Sequence, residues 1–209
     1  MEKITNSIAQ KISSELKYND EKSQVIKYGM FILIQTIFSI LLVGIIGALL
    51  GVMVESLIIS FTGSILRKYS GGAHATSAER CTIMGVIICV GLALICIKIS
   101  QNITLNNMAL LGIIVITVSY FTIYKLAPID NPMKPIKTHK KRTRMKKLSF
   151  FILSVYVVIV IALLALQIFF KTNVFETVIL SIYAGIAWQM FTLTKIGHIL
   201  TNKIDMLLK

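Results

Sequence analysis

Reactive side chains concentrate in one segment of the sequence, RKYSGGAHATSAERC at residues 67–81. A cysteine thiolate can act as a nucleophile, and a histidine within hydrogen-bond distance can act as its general base. Cys81 and His74 are the candidates, but in one unbroken helix they would lie about 10.5 Å apart along the axis, too far for proton transfer. Gly71 and Gly72 break any helix that runs through the segment. Catalysis by this pair therefore requires His74 to lie in a loop that precedes a helix.

A helix start is predicted just before Cys81. Thr76 and Glu79 form a T-x-x-E capping box, so the helix should begin at Ser77. Cys81 then lies in the first turns, where free backbone N–H groups and the helix dipole favour a thiolate. His74 precedes this helix, and the loop can fold it back toward Cys81. One histidine near one cysteine is a weak signal by itself, so a capping or lipid-facing role for Cys81 stays open.

Other kinds of site find less support in the sequence. A zinc site needs about four ligands, and only His139 and His198 could join the pair, both far away along the chain. We therefore expect no metal and no cofactor. No Ser-His-Asp spacing or phosphate-binding glycine loop occurs in the sequence. Cys89 and Cys96 share a hydrophobic segment with Cys81, and a single helix leaves no disulfide geometry between them, so both are expected to be free thiols in the membrane phase.

The elements that must position these residues are predicted to be transmembrane helices. Hydrophobic residues make up 56% of the 209 residues and charged residues 15%, with a mean hydropathy of +0.79. A hydrocarbon core about 30 Å thick requires roughly 17 or more apolar residues in a helix. Stretches near or above this length contain no charge at positions 28–54, 82–97, 99–124, 148–170 and 177–194. The predicted fold class is an all-α integral membrane protein with about six transmembrane helices.

The distribution of charge predicts the topology. Breaks near positions 51–55, 98–107 and 170–175 give six spans, with 20 of the 22 Lys and Arg residues on one side of the membrane. Only Lys98 and Lys171 fall on the other side. By the positive-inside rule, we expect both termini to be cytoplasmic. The second span, Val52–Leu66, is the weakest, because it reaches only about 22 Å.

The N-terminal residues 1–27 are expected to form an amphipathic helix. Apolar side chains recur there at every fourth position, with charged residues between them: Ile4, Ile8, Ile12 and Leu16. Such a helix is predicted to lie along the membrane surface, the alternative being that it packs on the protein's own loops. With no linker and no cleavable targeting segment evident, residues 1–209 are interpreted as a single membrane domain.

The net charge of +13 invites a nucleic-acid interpretation. Most of the excess lies in Lys134–Lys147, directly beside a hydrophobic span, where such a cluster typically meets anionic lipid headgroups. Recognition of an acidic peptide or partner is the alternative. No nucleic-acid partner is expected, because no recognisable nucleic-acid fold accompanies the charge.

A family resemblance joins these features. Arg67, Gly71-Gly72, His74 and Cys81 lie between hydrophobic spans and are followed by APIDNPMKPI at residues 127–136. This arrangement resembles the accessory gene regulator B family of bacterial quorum-sensing peptidases, and the resemblance covers nearly the whole chain. It implies a multi-pass cysteine endopeptidase of the bacterial cell membrane, with 67–80 as the catalytic loop and 127–147 as a basic cytoplasmic loop.

The resemblance also implies a substrate and a set of roles. The substrate is a precursor peptide with an amphipathic leader, a central signal segment and an acidic C-terminal tail, cut before the tail. Cys81 is the nucleophile and His74 its base and later acid, and the acyl-enzyme thioester is cyclised to a lactone or thiolactone. Arg67 and Gly72 occupy positions of the family motif. Nothing matches a third catalytic residue with certainty.

Substrate binding is assigned to two groups of residues. The first lies beside the dyad: Arg67, Lys68, Gly71 and Gly72. The second is the cationic cluster Lys141, Arg142 and Arg144, which we expect to attract the acidic tail. A homodimer is possible, because Gly44, Gly47 and Gly51 would permit close helix packing.

A polytopic peptide transporter or exporter without proteolytic activity is the alternative function. A transporter would be expected to carry ionisable groups deep within its spans. Glu55 and Glu176 are instead predicted near the outer ends of their spans, and the middle of each span is uncharged. The sequence therefore offers little for coupling transport to ions.

Overall fold

The computed structural model describes residues 20–73, 75–130, 138–172 and 174–208, which form helices and loops without a strand. The helices within these ranges are α1 Asp20–Leu49, α2 Met53–Ser70, α3 Ala78–Ser100, α4 Leu105–Leu126, α5 His139–Phe170, α6 Glu176–Leu193 and α7 Lys195–Leu207. The all-α prediction is confirmed. Of the amphipathic helix expected at residues 1–27, positions 1–19 lie outside the described residues, and positions 20–27 form the start of α1.

Two compact units divide the chain, Met1–Leu42 and Val43–Lys209. The described part of the first unit is the N-terminal portion of α1, residues 20–42. The second unit contains the rest of α1 and all the helices that follow. The segment at residues 67–81 belongs to the second unit, so the site is described entirely within it.

Five helices are long and apolar enough to cross a membrane: Gly29–Leu49 within α1, Ala78–Ser100, Leu105–Leu126, His139–Phe170 and Glu176–Leu193. Large apolar side chains project outward from them, among them Ile87, Ile113 and Val158, each more than 60% exposed. Such surfaces are stable in lipid rather than water. The prediction of an integral membrane protein is therefore confirmed, whereas the count of six spans and the sidedness stay predictions.

The sixth candidate span, α2, packs against α3, α5 and α6. It carries buried polar residues along its length, such as Ser56 and Thr62, and is not among the helices apolar enough to span on composition alone. Gly185 of α6 lets the two backbones approach closely, because a Cβ there would lie 2.8 Å from Thr62 Cβ and 3.0 Å from the Ile59 carbonyl oxygen. Tight packing on α6 thus holds α2 in place.

The turn between α1 and α2 comes slightly earlier than predicted. Helix α1 ends at Leu49, and Gly51 turns the chain with a φ of 71°. Glu55 already lies in the first turn of α2. Gly47 lies against α2 within the same chain, since a Cβ on it would lie 3.0 Å from Met53 Cα. The other two breaks, after Ser100 and Phe170, fall where the sequence predicts them.

Candidate active site

The predicted catalytic loop, residues 67–80, is helical at both ends, because α2 continues to Ser70 and α3 begins at Ala78. Gly71 has a φ of 73° and Gly72 a φ of 138°, both in the region that disfavours residues with a side chain. A Cβ on Gly71 would collide with the Ile129 backbone, and one on Gly72 would lie 2.7 Å from Thr192 Oγ1. The predicted helix break is confirmed, and the two glycines also allow neighbouring chain segments to approach the loop.

Helix α6 holds the start of this loop through two buried polar residues. Gln189 Nε2 donates to the Gly71 carbonyl oxygen at 2.7 Å and to Ser70 Oγ at 3.0 Å. The Thr192 carbonyl oxygen accepts from the Ala73 N–H at 3.1 Å. Gln189 and Thr192 were not predicted as site residues. The available signal was their polarity within a span that is otherwise largely apolar.

The loop after α4 contacts the same segment. Ile129 donates its N–H to the Ser70 carbonyl oxygen at 2.9 Å. Arg142, in the first turn of α5, donates from Nη2 to the Pro128 carbonyl oxygen at 3.4 Å. The start of the APID segment therefore lies beside the predicted catalytic loop, and Arg142, one of the predicted cationic residues, is bonded to it. Lys141 and Arg144 are exposed on the same end of α5.

Helix α3 starts one residue later than predicted, and its cap differs. Ser77 is the N-cap, since its side-chain oxygen accepts from the Arg80 N–H at 3.2 Å. The prediction of Thr76 as the cap is wrong, because the Thr76 hydroxyl donates instead to the Asp205 carboxylate at 2.6 Å. The Thr76 oxygen accepts from Arg80 Nη1 at 3.1 Å instead of from a backbone N–H of the helix, so contacts of side chains replace the local capping motif.

Cys81 occupies the predicted position in the first turns of α3. It is the fourth residue of the helix, with its N–H bonded to the Ser77 carbonyl oxygen at 3.0 Å, and its thiol is free and half-buried. His74 lies outside the described residues, so the Cys81–His74 pair stays a prediction.

Arg67 is close enough to Cys81 for their charges to interact. Its position is the last turn of α2, beyond the apolar stretch of that helix. Burial lowers the pKa of Arg67 from its ordinary value, and negative charge on Cys81 acts in the opposite direction. The Arg67 Nε is buried and has no hydrogen-bond partner within the described part of the chain. Lys68 is exposed, with Nζ 5.6 Å from the centre of the Tyr69 ring.

Comparison with known proteins decides the family. Residues 5–193 match the sequence model of the family described as Accessory gene regulator B. The chain belongs to the accessory gene regulator B (AgrB) family. Membership supports a role in the agr quorum-sensing system and in peptide processing.

AgrB-like proteins of other bacteria are similar to this chain. One from Clostridium perfringens strain SM101 is 44% identical over 207 residues, or 98% of this chain and 96% of the relative. AgrB-like protein 2 of C. perfringens strain 13 is also 44% identical over the same length. A protein from Listeria innocua is 26% identical over 137 residues, covering 65% of this chain and 64% of the relative. No solved structure matches the chain.

The other two cysteines of this AgrB-family chain lie deeper in α3. Both are free and buried, as expected, but they are enclosed by neighbouring helices. The Cys89 thiol interacts with the Ser60 side chain of α2, and the Cys96 thiol with Ser181 of α6. Along the helix axis they are about 12 and 22 Å from Cys81. They therefore serve as natural controls for the reactivity of Cys81.

Proposed function

We propose that this protein is a membrane-embedded cysteine endopeptidase that removes the C-terminal tail of a quorum-sensing precursor peptide and cyclises the remainder. The observation that carries the proposal is the position of Cys81. It is half-buried in the first turns of α3, within electrostatic reach of Arg67 and next to a glycine-broken loop that contains His74 in its sequence. A thiol beside a cation at a helix start is typical of a reactive cysteine.

Cleavage begins when the Cys81 thiolate attacks the scissile carbonyl carbon. The tetrahedral intermediate collapses as the C–N bond breaks, and His74 gives a proton to the amine of the departing tail. The signal segment stays attached to Cys81 as a thioester. An internal thiol or hydroxyl of the peptide then loses its proton to His74 and attacks the thioester carbonyl. Cys81 leaves as a thiolate, and the peptide is released as a ring.

Cyclisation needs no ATP or metal. When the internal nucleophile is a thiol, one thioester replaces another, so the exchange is nearly balanced in energy. Water is the competing nucleophile, since it would release a linear peptide. Placement of the loop below the lipid headgroups would favour ring closure, because it would limit the access of water.

Arg67 contributes charge at the reacting centre. Its buried Nε has no partner among the described residues, so it is available to bind the peptide carbonyl or the oxyanion that forms from it. A donor that stabilises a developing oxyanion typically accounts for about 10²–10³ in kcat. In this account Arg67 positions the scissile carbonyl and stabilises the charge that develops on its oxygen.

The cationic groups on α5 capture the acidic tail. Lys141, Arg142 and Arg144 are exposed, and Arg142 also reaches the loop that packs on the start of the catalytic loop. A tail bound there would extend from the scissile bond along this surface. Lys68, the residue after Arg67, is exposed and adds positive charge near the end of α2. Attraction of this kind acts mainly on association with the peptide.

Tail release by the purified protein tests the proposal. The full chain is reconstituted in liposomes with a synthetic precursor of about 40–50 residues that has an amphipathic leader, a central cysteine and an acidic tail. Mass spectrometry should detect the free tail and a ring with the Cys81 protein and none with Cys81→Ala. Cys89→Ala and Cys96→Ala should retain activity. Equal tail release by Cys81→Ala would overturn the assignment of the nucleophile.

A further inference from the structure

A polar cluster around one buried carboxylate links the predicted catalytic loop to the last described helix, with Thr76 exposed and Arg80 half-buried. Asp205 of α7 is only 3% exposed, and its carboxylate accepts from the Thr76 hydroxyl at 2.6 Å and the Thr76 N–H at 3.3 Å. Arg80 forms an ion pair with the same carboxylate at 3.2 Å. We infer that Asp205 is a positioning residue for cleavage, because it fixes the segment that connects the glycine turn to Cys81. Thr76, Arg80 and Asp205 are called the Asp205 clamp below.

The clamp is closed by bonds among all three members. Besides its ion pair, Arg80 Nη1 donates to the Asp205 carbonyl oxygen at 3.2 Å and to Thr76 Oγ1 at 3.1 Å. Hydrogen bonds that involve a charged group are roughly twice as strong as neutral ones. Removal of Thr76 or Arg80 as a partner would leave the buried Asp205 carboxylate with fewer hydrogen bonds, which is costly for a buried charge. The clamp thus joins Thr76 to Asp205, which lie 129 positions apart in the sequence.

Two anchors enclose the short piece of chain that contains His74. Before it, the Ala73 N–H donates to the Thr192 carbonyl oxygen at 3.1 Å. After it, Thr76 is held by Asp205, and only residues 74 and 75 lie between the two anchors. Cys81 follows Thr76 by five residues. A change at Asp205 therefore acts on the segment that contains Cys81 through Thr76 and Arg80, and not through contact with the peptide.

The two helices that carry the anchors, α6 with Thr192 and α7 with Asp205, meet at one corner of the fold. Thr194 alone separates α6 from α7, and its side-chain oxygen caps α7 by accepting from the Gly197 N–H at 3.0 Å. A Cβ on Gly197 would collide with the Phe191 carbonyl group, so the corner is tight. Because this corner fixes α7 relative to α6, Ala73 and Thr76 are both attached to the same pair of helices.

The polarity of α7 supports an internal role for Asp205. Its buried residues recur every four positions and are small or polar: Gly197, Thr201 and Asp205. Its outward side carries large apolar side chains, with Ile196 69% and Leu207 85% exposed. Lys195 and Lys203 are exposed as well, so the buried side of α7 is not its apolar side, unlike that of a helix on a water-soluble protein. A carboxylate turned inward from such a helix is costly to bury unless it is paired, and here it is paired with the catalytic segment.

The clamp extends beyond the region that defines the family. The family match ends at residue 193, whereas α7 spans Lys195–Leu207. The inference rests on the proposed function only in its catalytic consequence, since the structural link between α7 and the loop does not depend on it. The experiment therefore has one readout with precursor and one without.

The first readout is cleavage of the synthetic precursor by the full chain in liposomes. Thr76→Val removes the hydroxyl at nearly constant volume, whereas Thr76→Ser keeps it, and Asp205→Asn removes the charge. Misplacement of catalytic groups by about 1 Å can cost about 100-fold in rate, so Thr76→Val and Asp205→Asn should lower kcat by about 10- to 100-fold with little change in KM. Thr76→Ser should retain most of the activity. Lys203→Gln, on the exposed side of α7, is the matched control and should resemble the parent protein.

The second readout is limited trypsin digestion in detergent micelles without any peptide. Release of the loop should speed cleavage after Lys68 or Arg80 several-fold in Thr76→Val and Asp205→Asn, but not in Thr76→Ser or Lys203→Gln. The inference would be overturned if Thr76→Val and Asp205→Asn both left the digestion rate and kcat unchanged. If the parent protein fails to cut the precursor while digestion still responds to Thr76→Val, the proposed function is wrong but the clamp stands.

Discussion

The Arg67 side chain, at the end of α2, lies close enough to Cys81, at the start of α3, for their charges to interact. The glycine turn separates the two residues along the chain, and the buried Nε of Arg67 has no partner in the described ranges. A cation in this position can stabilise both a thiolate and the oxyanion that forms when the thiolate attacks a carbonyl.

Substitution of Arg67 should therefore affect catalysis more than capture. We expect Arg67→Ala to lower kcat by about 100-fold or more, the typical cost of a lost oxyanion donor. Arg67→Lys should recover only part of this loss, because lysine keeps the charge but not the planar donor group. Steady-state cleavage of the synthetic precursor is the measurement, with Lys203→Ala, at an exposed lysine of α7, as the control. An Arg67→Ala variant with normal kcat and raised KM would show a binding role only.

The glycine turn gives a second prediction. Gly72→Ala should destabilise the loop by about 1–3 kcal/mol, the usual cost of a strained backbone, and reduce cleavage accordingly. The cause is its φ of 138° together with the contact of the new Cβ with Thr192 Oγ1. Gly85→Ala is the matched control, since a Cβ on this α3 glycine meets nothing within 4 Å. Thermal unfolding and cleavage of both variants in the same detergent would test this, and equal loss in both would contradict it.

Neutralisation of the cationic cluster should act mainly on capture of the precursor. With Lys141, Arg142 and Arg144 all changed to Gln, we expect KM to rise more than kcat falls, and the effect to shrink as salt increases. The measurement uses micelles without anionic lipid, so that lipid binding cannot contribute. Lys98→Gln with Lys171→Gln is the control for loss of charge elsewhere. Unchanged precursor affinity after neutralisation would favour the alternative that the cluster binds anionic lipid.

The positive-inside rule gives a topology that can be measured directly. Reporters fused after Lys68, Lys141 and Lys209 should be cytoplasmic, and those near Asn102 and Thr172 external. The three cytoplasmic positions lie in segments that together carry most of the Lys and Arg residues, whereas the external segments carry only Lys98 and Lys171. An external reading at Lys141 would contradict the six-span arrangement and would separate the cationic cluster from Cys81.

Local features of the site could be predicted from the sequence. The glycine pair predicts a helix break, and the polar residues before Cys81 predict a helix start. The predicted first residue of the helix that contains Cys81 differs from the observed one by a single position. Long apolar stretches likewise reveal the membrane helices. Each of these features depends on residues that are close together in the sequence, so a local sequence pattern can predict it.

Contacts between distant segments could not be predicted. Gln189 and Thr192 are single polar residues in an apolar helix, and nothing in their spacing indicates that they bond to the loop at residues 70–73. Asp205 is further away still, and its attraction for Thr76 overrides the capping box that the sequence suggests. Only the packing of α6 and α7 against the loop brings these partners together.

The acyl-enzyme tests the central claim most directly. The parent protein is mixed with the precursor in liposomes, quenched in acid within seconds, digested and examined by mass spectrometry. We predict the leader and signal segment of the precursor attached through a thioester to the fragment that contains Cys81, and loss of this adduct on treatment with neutral hydroxylamine. The adduct should be absent from Cys81→Ala and present in Cys89→Ala and Cys96→Ala. Tail release without any adduct on Cys81, or an adduct on another residue, would contradict the account.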